Sequence, residues 1–132
     1  MKKRILAVLR VSCKEHETEQ RSKDLSKWLN SLGYKDDEIE WLERIASNID
    51  YEDIKRLTTD SEIKTVAVWD ITRLGRSKSD LLRLKMFFIE HKIQLLIKEQ
   101  AIKLFNDDGT ISIDANMLYD MLAAMAEQKD AR

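Results

Sequence analysis

The chain has 132 residues, with no proline, three glycines, a single cysteine, 43% apolar and 36% charged residues. That is the length of one domain with enough apolar material for a core, and it excludes a disordered linker, a collagen-like repeat, a disulfide framework and a multi-cysteine zinc site. The net charge of −1, from 23 basic and 24 acidic residues, argues against a stand-alone nucleic-acid binder, which carries a clear positive excess. One lone cysteine, Cys13, fits a reducing, cytoplasmic setting.

The basic start, Met1 to Arg4, leads into the apolar run Ile5 to Leu9. Arg10 ends that run, too short for a signal-peptide core, and no later stretch approaches membrane-spanning length. Ile5 to Val11 therefore reads as a buried strand of the domain itself. Glu17 to Leu32 carries Leu25, Trp28, Leu29 and Leu32 at helical spacing and closes at Gly33, a natural helix stop. Ile39 to Leu42 is expected as a short strand, and Asp50 to Leu57 as a short helix capped by Asp50. Thr65 to Trp69 is the clearest buried strand. Ser77 to His91 predicts a helix with apolar Leu81, Leu84, Phe87 and Phe88, and Ser77 with Asp80 resembles a capping box. Ile93 to Ile97 gives another strand, and a last helix runs from about Asp114 to the end of the chain.

Strands alternating with helices imply an α/β fold: a mostly parallel central sheet with helices on both faces, ending in a long C-terminal helix. Residues 1–105 are expected as the α/β core and residues 106–132 as a loop and the start of that helix. Because the sequence stops inside a helix without an end signal, a boundary through a longer protein is expected. In the last helix Met117, Leu118, Met121, Leu122 and Met125 form one stripe, which suits either the helix's own core or a subunit interface, since methionines adapt to repacking.

Sites in parallel α/β sheets form at the C-terminal ends of strands. The first strand ends in Arg10-Val11-Ser12, and in extended backbone Arg10 and Ser12 share a side. A guanidinium beside a hydroxyl suits a nucleophile facing a phosphate. The third strand ends in Asp70, Thr72, Arg73, Leu74, Gly75, Arg76 and Ser77. Arg73 and Arg76 share a face if the segment turns helically. Gly75 permits close backbone approach or positive φ, and the helix start after it attracts anions. From Thr72 to Lys85 five basic residues (Arg73, Arg76, Lys78, Arg83 and Lys85) face one acidic residue, Asp80, so a solvated basic helix start is the plainer reading. Asp70 with Glu99, at the end of the Ile93 to Ile97 strand, offers an alternative pair for a magnesium ion. His16 and Cys13 lie near Ser12 without an arrangement that activates them, and His91 falls at a helix C-terminus, where a cation is favoured anyway.

Together Arg10-Val11-Ser12, Arg73-Leu74-Gly75-Arg76-Ser77, Asp80-Leu81-Leu82, and Asn106 to Gly109 leading into Met117 to Glu127 resemble the catalytic domain of the serine recombinases, the resolvase and invertase family. The resemblance covers most of the chain. It implies that Ser12 attacks a DNA phosphodiester to form a 5′-phosphoserine link, with Arg10, Arg73 and Arg76 on the phosphate, Gln20 as a supporting contact, and no cofactor or metal. It further implies DNA as partner, a homodimer built on the long last helix, a tetramer in the synaptic complex, and a separate module for sequence recognition. There is no small-molecule substrate or membrane partner in that picture. The net charge of −1 agrees with this division, so the chain is expected to be a catalytic fragment, or else to rely on a partner for targeting.

The sequence departs from the family pattern in places. Thr72 stands where the family has Asp before the first arginine of its string, with Asp70 two residues earlier as a partial substitute. Gln20 or Arg21 fills the glutamine position, Asp50 is followed by Tyr51 rather than an arginine, and Glu43 stands for an acidic residue near the second strand. The second reading is therefore a catalytically impaired dimerisation and DNA-associating module of the same fold. The third is a magnesium-dependent phosphotransfer domain using Asp70 and Glu99.

Overall fold

The computed structural model describes residues 3–11, 15–45, 51–60, 63–75 and 77–130. Strand β1 (Ile5–Val11) leads to helix α1 (Glu15–Ser31), β2 (Ile39–Ile45), α2 (Tyr51–Asp60), β3 (Thr65–Val68), α3 (Lys78–Glu90), β4 (Gln94–Ile97), β5 (Ile102–Lys103) and α4 (Ile113–Asp130). The five strands lie in the order β2-β1-β3-β4-β5. All neighbours run parallel except β5, which pairs antiparallel with β4. Sequential neighbours beside β1 lie on opposite sides of it, so the strand order reverses between β1 and β3. In such sheets the crevice at that reversal, outside the strand C-termini, is where ligands bind.

The two faces are covered unequally. On one face Leu6, Val8, Val66, Val68, Leu95 and Ile97 meet α2, α3 and α4 through Ile54, Leu81, Leu84, Phe88 and Tyr119, all buried. On the other face, among the described residues, α1 packs Leu25 and Leu29 against Ile5, Ala7, Ile39 and Ala67. Register explains the close fit there: Trp41, Ala7, Ala67 and Leu96 form one row across the sheet. The two central alanines let the helix sit close, while Trp41 and Leu96 flank it. Each fully buried Leu, Ile or Phe contributes about 1.5–3 kcal/mol relative to exposure, so the larger face dominates stability.

Helix ends follow their residue chemistry. After α1 the Tyr34 N–H donates to the Leu29 carbonyl at 3.1 Å and the Gly33 N–H to Asn30 at 3.0 Å. This paired pattern needs a left-handed residue, supplied by Gly33 at φ +102°. Ser77 caps α3 by accepting the Asp80 N–H at 3.1 Å. Ser112 Oγ accepts the Ala115 N–H at 3.2 Å at the start of α4.

The expected elements are present, with shifted bounds. The second strand runs on to Ile45, and the third ends at Val68 because Trp69 already leads into the next turn. The Asp50 cap lies outside the described residues. Three features go beyond the sequence reading: the two-residue β5 and two 3-10 turns, over Asp36–Glu38 and Ile71–Arg73. The Met stripe of α4 is not core. Its buried line is Ala115, Tyr119 and Ala123, whereas Met117, Met121 and Met125 are more than half exposed; Leu118 also reaches solvent and Leu122 alone packs against the core edge.

Candidate active site at the strand reversal

Strands β1 and β3 bring Arg10 and the turn that carries Arg73 to the two sides of the reversal. Arg10 occupies the next-to-last position of β1, opposite Arg44 of β2. Ser12, with Cys13, lies outside the described residues, as does Arg76. The side chains of Arg10 and Arg73 are likewise outside them. Helix α1 begins at Glu15, three residues after Ser12 in the sequence. His16 belongs to the first turn of α1.

Beyond β3 the backbone forms a compact turn. Asp70 is its cap: Oδ1 accepts the Thr72 N–H at 2.9 Å and also the Thr72 hydroxyl. The Leu74 N–H closes the turn on the Ile71 carbonyl at 3.1 Å. Ile71 and Leu74 anchor it by burial, at 2% and 0% exposed. Arg73 thus sits on a turn fixed from below by two apolar side chains and from the side by a carboxylate. Three residues after Leu74 the Ser77 cap starts α3, whose first-turn N–H groups and dipole favour an anion.

Gly75 is buried but has no left-handed φ. A Cβ there would meet Asp80 Cβ and Leu81 Cδ2 at 3.6 Å, an ordinary contact. Of the two roles open to Gly75, close approach or positive φ, the second is not used; among the described glycines positive φ occurs at Gly33 and Gly109, where turns demand it.

Other expected residues are placed more loosely. Gln20 is exposed on the second turn of α1, and its Nε2 donates to Asp24 Oδ1 at 2.9 Å. With Trp41 and Glu43 it lines a cleft of about 610 Å³ on the α1 side of the sheet. Glu43 is exposed on β2, across from Leu9. Glu99 follows β4 and its N–H donates to the Trp69 carbonyl at 2.8 Å, which brings it to the strand end beside Asp70. It is exposed, and Asp70 Oδ1 is engaged by Thr72. Among the described residues no group of three or more His, Cys, Asp or Glu gathers to hold a metal ion. Nor, among them, is any helix long and apolar enough to cross a membrane. His91 caps α3 with its ring 4.5 Å from that of Phe87.

The basic run after Thr72 is one charge weaker at the surface than its sequence suggests. Lys85 is only 7% exposed and donates to Asn116 Oδ1 at 2.7 Å and to Asp120. Its spacing was the available signal: Lys85 stands four residues after Leu81 and three before Phe88, on the buried side of α3. A second contact the sequence did not announce is Lys98, whose ammonium lies 5.5 Å above the Trp69 ring at the strand ends.

The family comparison agrees with this geometry. Residues 5–132 match the family described as Resolvase, N terminal domain. The chain belongs to this family. No curated protein matches the chain significantly. The resolvase-type catalytic domain thus spans the whole α/β core and α4, and recombination of DNA is its general activity. In this resolvase domain the strand reversal has Arg10 at the end of β1 on one side and the Ile71–Arg73 turn after β3 on the other, each part of one of the motifs that carry the family resemblance.

Proposed function

We propose that this domain cuts and rejoins DNA with Ser12 as nucleophile. The Ser12 hydroxyl oxygen attacks the phosphorus of a phosphodiester and gives up its proton. The bond to the 3′-oxygen breaks, and that oxygen takes a proton and leaves as a 3′-hydroxyl. The 5′-phosphate stays on Ser12 as an ester, so the energy of the broken bond is kept for rejoining. Arg10, Arg73 and Arg76 stabilise the charge that builds on the equatorial oxygens. Guanidinium forks suit this because they stay charged at any working pH and match phosphate oxygens bidentately. Loss of one such preorganised donor costs on the order of 3 kcal/mol, about a hundredfold in rate.

The observation that carries the reading is the meeting of β1 and β3 at the strand reversal, with Arg10 at one strand end and the Asp70-capped turn bearing Arg73 at the other. Thr72 replaces the family carboxylate, but its hydroxyl and N–H both hold Asp70, so a carboxylate remains fixed in that turn. This supports an active domain over the impaired module. Gln20 acts as a supporting contact from α1.

The chain works as a homodimer, and as a tetramer when two DNA sites are joined. Its division is a core over residues 1–105 and a dimer-forming segment over 106–132. Support for the dimer is the apolar line of Met117, Met121 and Met125 on α4, each more than half exposed among the described residues. DNA site recognition is left to a separate module.

Trapping the covalent adduct tests the reading. The domain, fused to a DNA-binding module, is mixed with nicked substrates bearing that module's sites, with a chelator present. An adduct on a denaturing gel that disappears in Ser12→Ala supports it. An adduct that persists in Ser12→Ala, or that forms only in Thr72→Asp, contradicts it; the second outcome favours the impaired module.

A further inference from the structure

We infer that Lys85, held by Asn116 and Asp120, is a polar register lock that decides which apolar stripe of α4 is left for a second copy of the chain. The inference rests on the dimer reading above.

Apolar side chains occur on more than one side of α4. Ala115, Tyr119 and Ala123 are buried, while Met117, Met121 and Met125 stand exposed. A helix that is apolar nearly all round gains almost as much burial in one rotation as in another, so burial alone discriminates weakly between them. Polar contacts discriminate sharply, because a buried polar group without a partner is costly. Lys85 is such a group: its Nζ reaches Asn116 Oδ1 at 2.7 Å and Asp120, residues one turn apart that bracket Tyr119. The ammonium also lies 5.9 Å from the Tyr119 ring. One turn back along α3, the Leu81 carbonyl accepts the Tyr119 hydroxyl at 2.6 Å. A shift of α4 by one residue rotates its side chains by about 100° and removes both acceptors from the buried ammonium. Single polar residues in otherwise apolar helix seams fix register in this way. Lys85 is therefore a positioning residue for the interface.

The test uses cysteine labelling and sedimentation in the full chain, on a Cys13→Ala background. Met121→Cys and Ala123→Cys report the outer and inner faces of α4, and labelling is done at high dilution. Lys85→Met keeps the side-chain volume, and Asp120 stays solvated because its side chain is 49% exposed, so the variant is expected to fold. Circular dichroism checks this. Asp120→Ala, at that half-exposed position, repeats the test from α4. The expected result is a ratio of labelling rates, position 121 over 123, that falls about tenfold or more in folded Lys85→Met and in the same direction in Asp120→Ala. The dimer dissociation constant of Lys85→Met should weaken by a similar factor. An unchanged ratio in both folded variants overturns the lock. A changed ratio with an unchanged dimer constant overturns its role in the interface. A wild-type chain that stays monomeric at every concentration overturns the dimer reading and the interface half with it, while the labelling ratio still decides the register half.

Discussion

Replacing Asp70 with alanine should loosen the turn that carries Arg73 and lower the melting temperature by about 5 °C. Asp70 accepts two hydrogen bonds from Thr72, one from the backbone at 2.9 Å and one from the hydroxyl. Losing a cap costs about 1 kcal/mol, and losing the hydroxyl bond adds up to about another. The site is only partly buried, so water recovers some of this, leaving about 1.5 kcal/mol. For a domain of this size each kcal/mol shifts the midpoint by roughly 3–5 °C. Asp70→Asn keeps an accepting oxygen at the same place and should recover most of the loss. The assay is thermal unfolding by circular dichroism, run beside adduct formation. Adduct yield should fall in Asp70→Ala by more than its unfolded fraction, because Arg73 loses its support. An Asp70→Ala protein that melts with the wild type and forms adduct equally well would refute the idea that this cap organises the site.

The two glycine positions should behave oppositely: Gly33→Ala forces an alanine to φ +102° and should cost about 1 kcal/mol, whereas Gly75→Ala meets only 3.6 Å contacts and should change stability little, both read from denaturant midpoints. Tyr119→Phe removes the 2.6 Å bond to Leu81 but leaves the ring in place, and should cost about 1 kcal/mol by the same measurement. Glu38 is held below the usual carboxylate range by the Lys35 N–H and then by Arg4, with burial opposing. Its folded carboxyl therefore gives up its proton at lower pH than the unfolded one. The stabilisation is complete above the unfolded value and is lost as pH falls through the lower folded value. Glu38→Gln should therefore flatten the acid limb of the stability–pH profile while changing its slope near neutrality little.

Much of the fold was legible because it is written in periodicity. Leu25, Trp28 and Leu29 declare α1, and the run of apolar residues in β1 and β3 declares strands buried on both faces. Caps were legible too, since Ser77 and Gly33 carry the chemistry their positions need. What escaped depends on long-range contact. β5 has two residues and no pattern of its own; Gln94 secures the chain just beyond it, with Nε2 donating to the Phe105 carbonyl and Oε1 accepting the Phe105 N–H, both at 2.8 Å. Lys85 counted as a surface charge because its partners lie 31 and 35 residues away on α4. The Met stripe was ambiguous for the opposite reason. Sequence shows that a helix has an apolar side, but only packing shows that Tyr119 rather than Met121 fills the core. At the candidate site the sequence motifs pointed to two strand ends, and the structure carries Arg10 on β1 and Arg73 on the turn after β3, while the Asp70–Thr72 pairing needed the turn geometry.

The most direct test of the central claim is mass spectrometry of the trapped protein–DNA adduct after protease and nuclease digestion. The account predicts a single modified peptide bearing a nucleotide 5′-phosphate on Ser12, matched by a free 3′-hydroxyl on the released DNA strand. A nucleotide on any other residue, or a 3′-phosphate link, would contradict it.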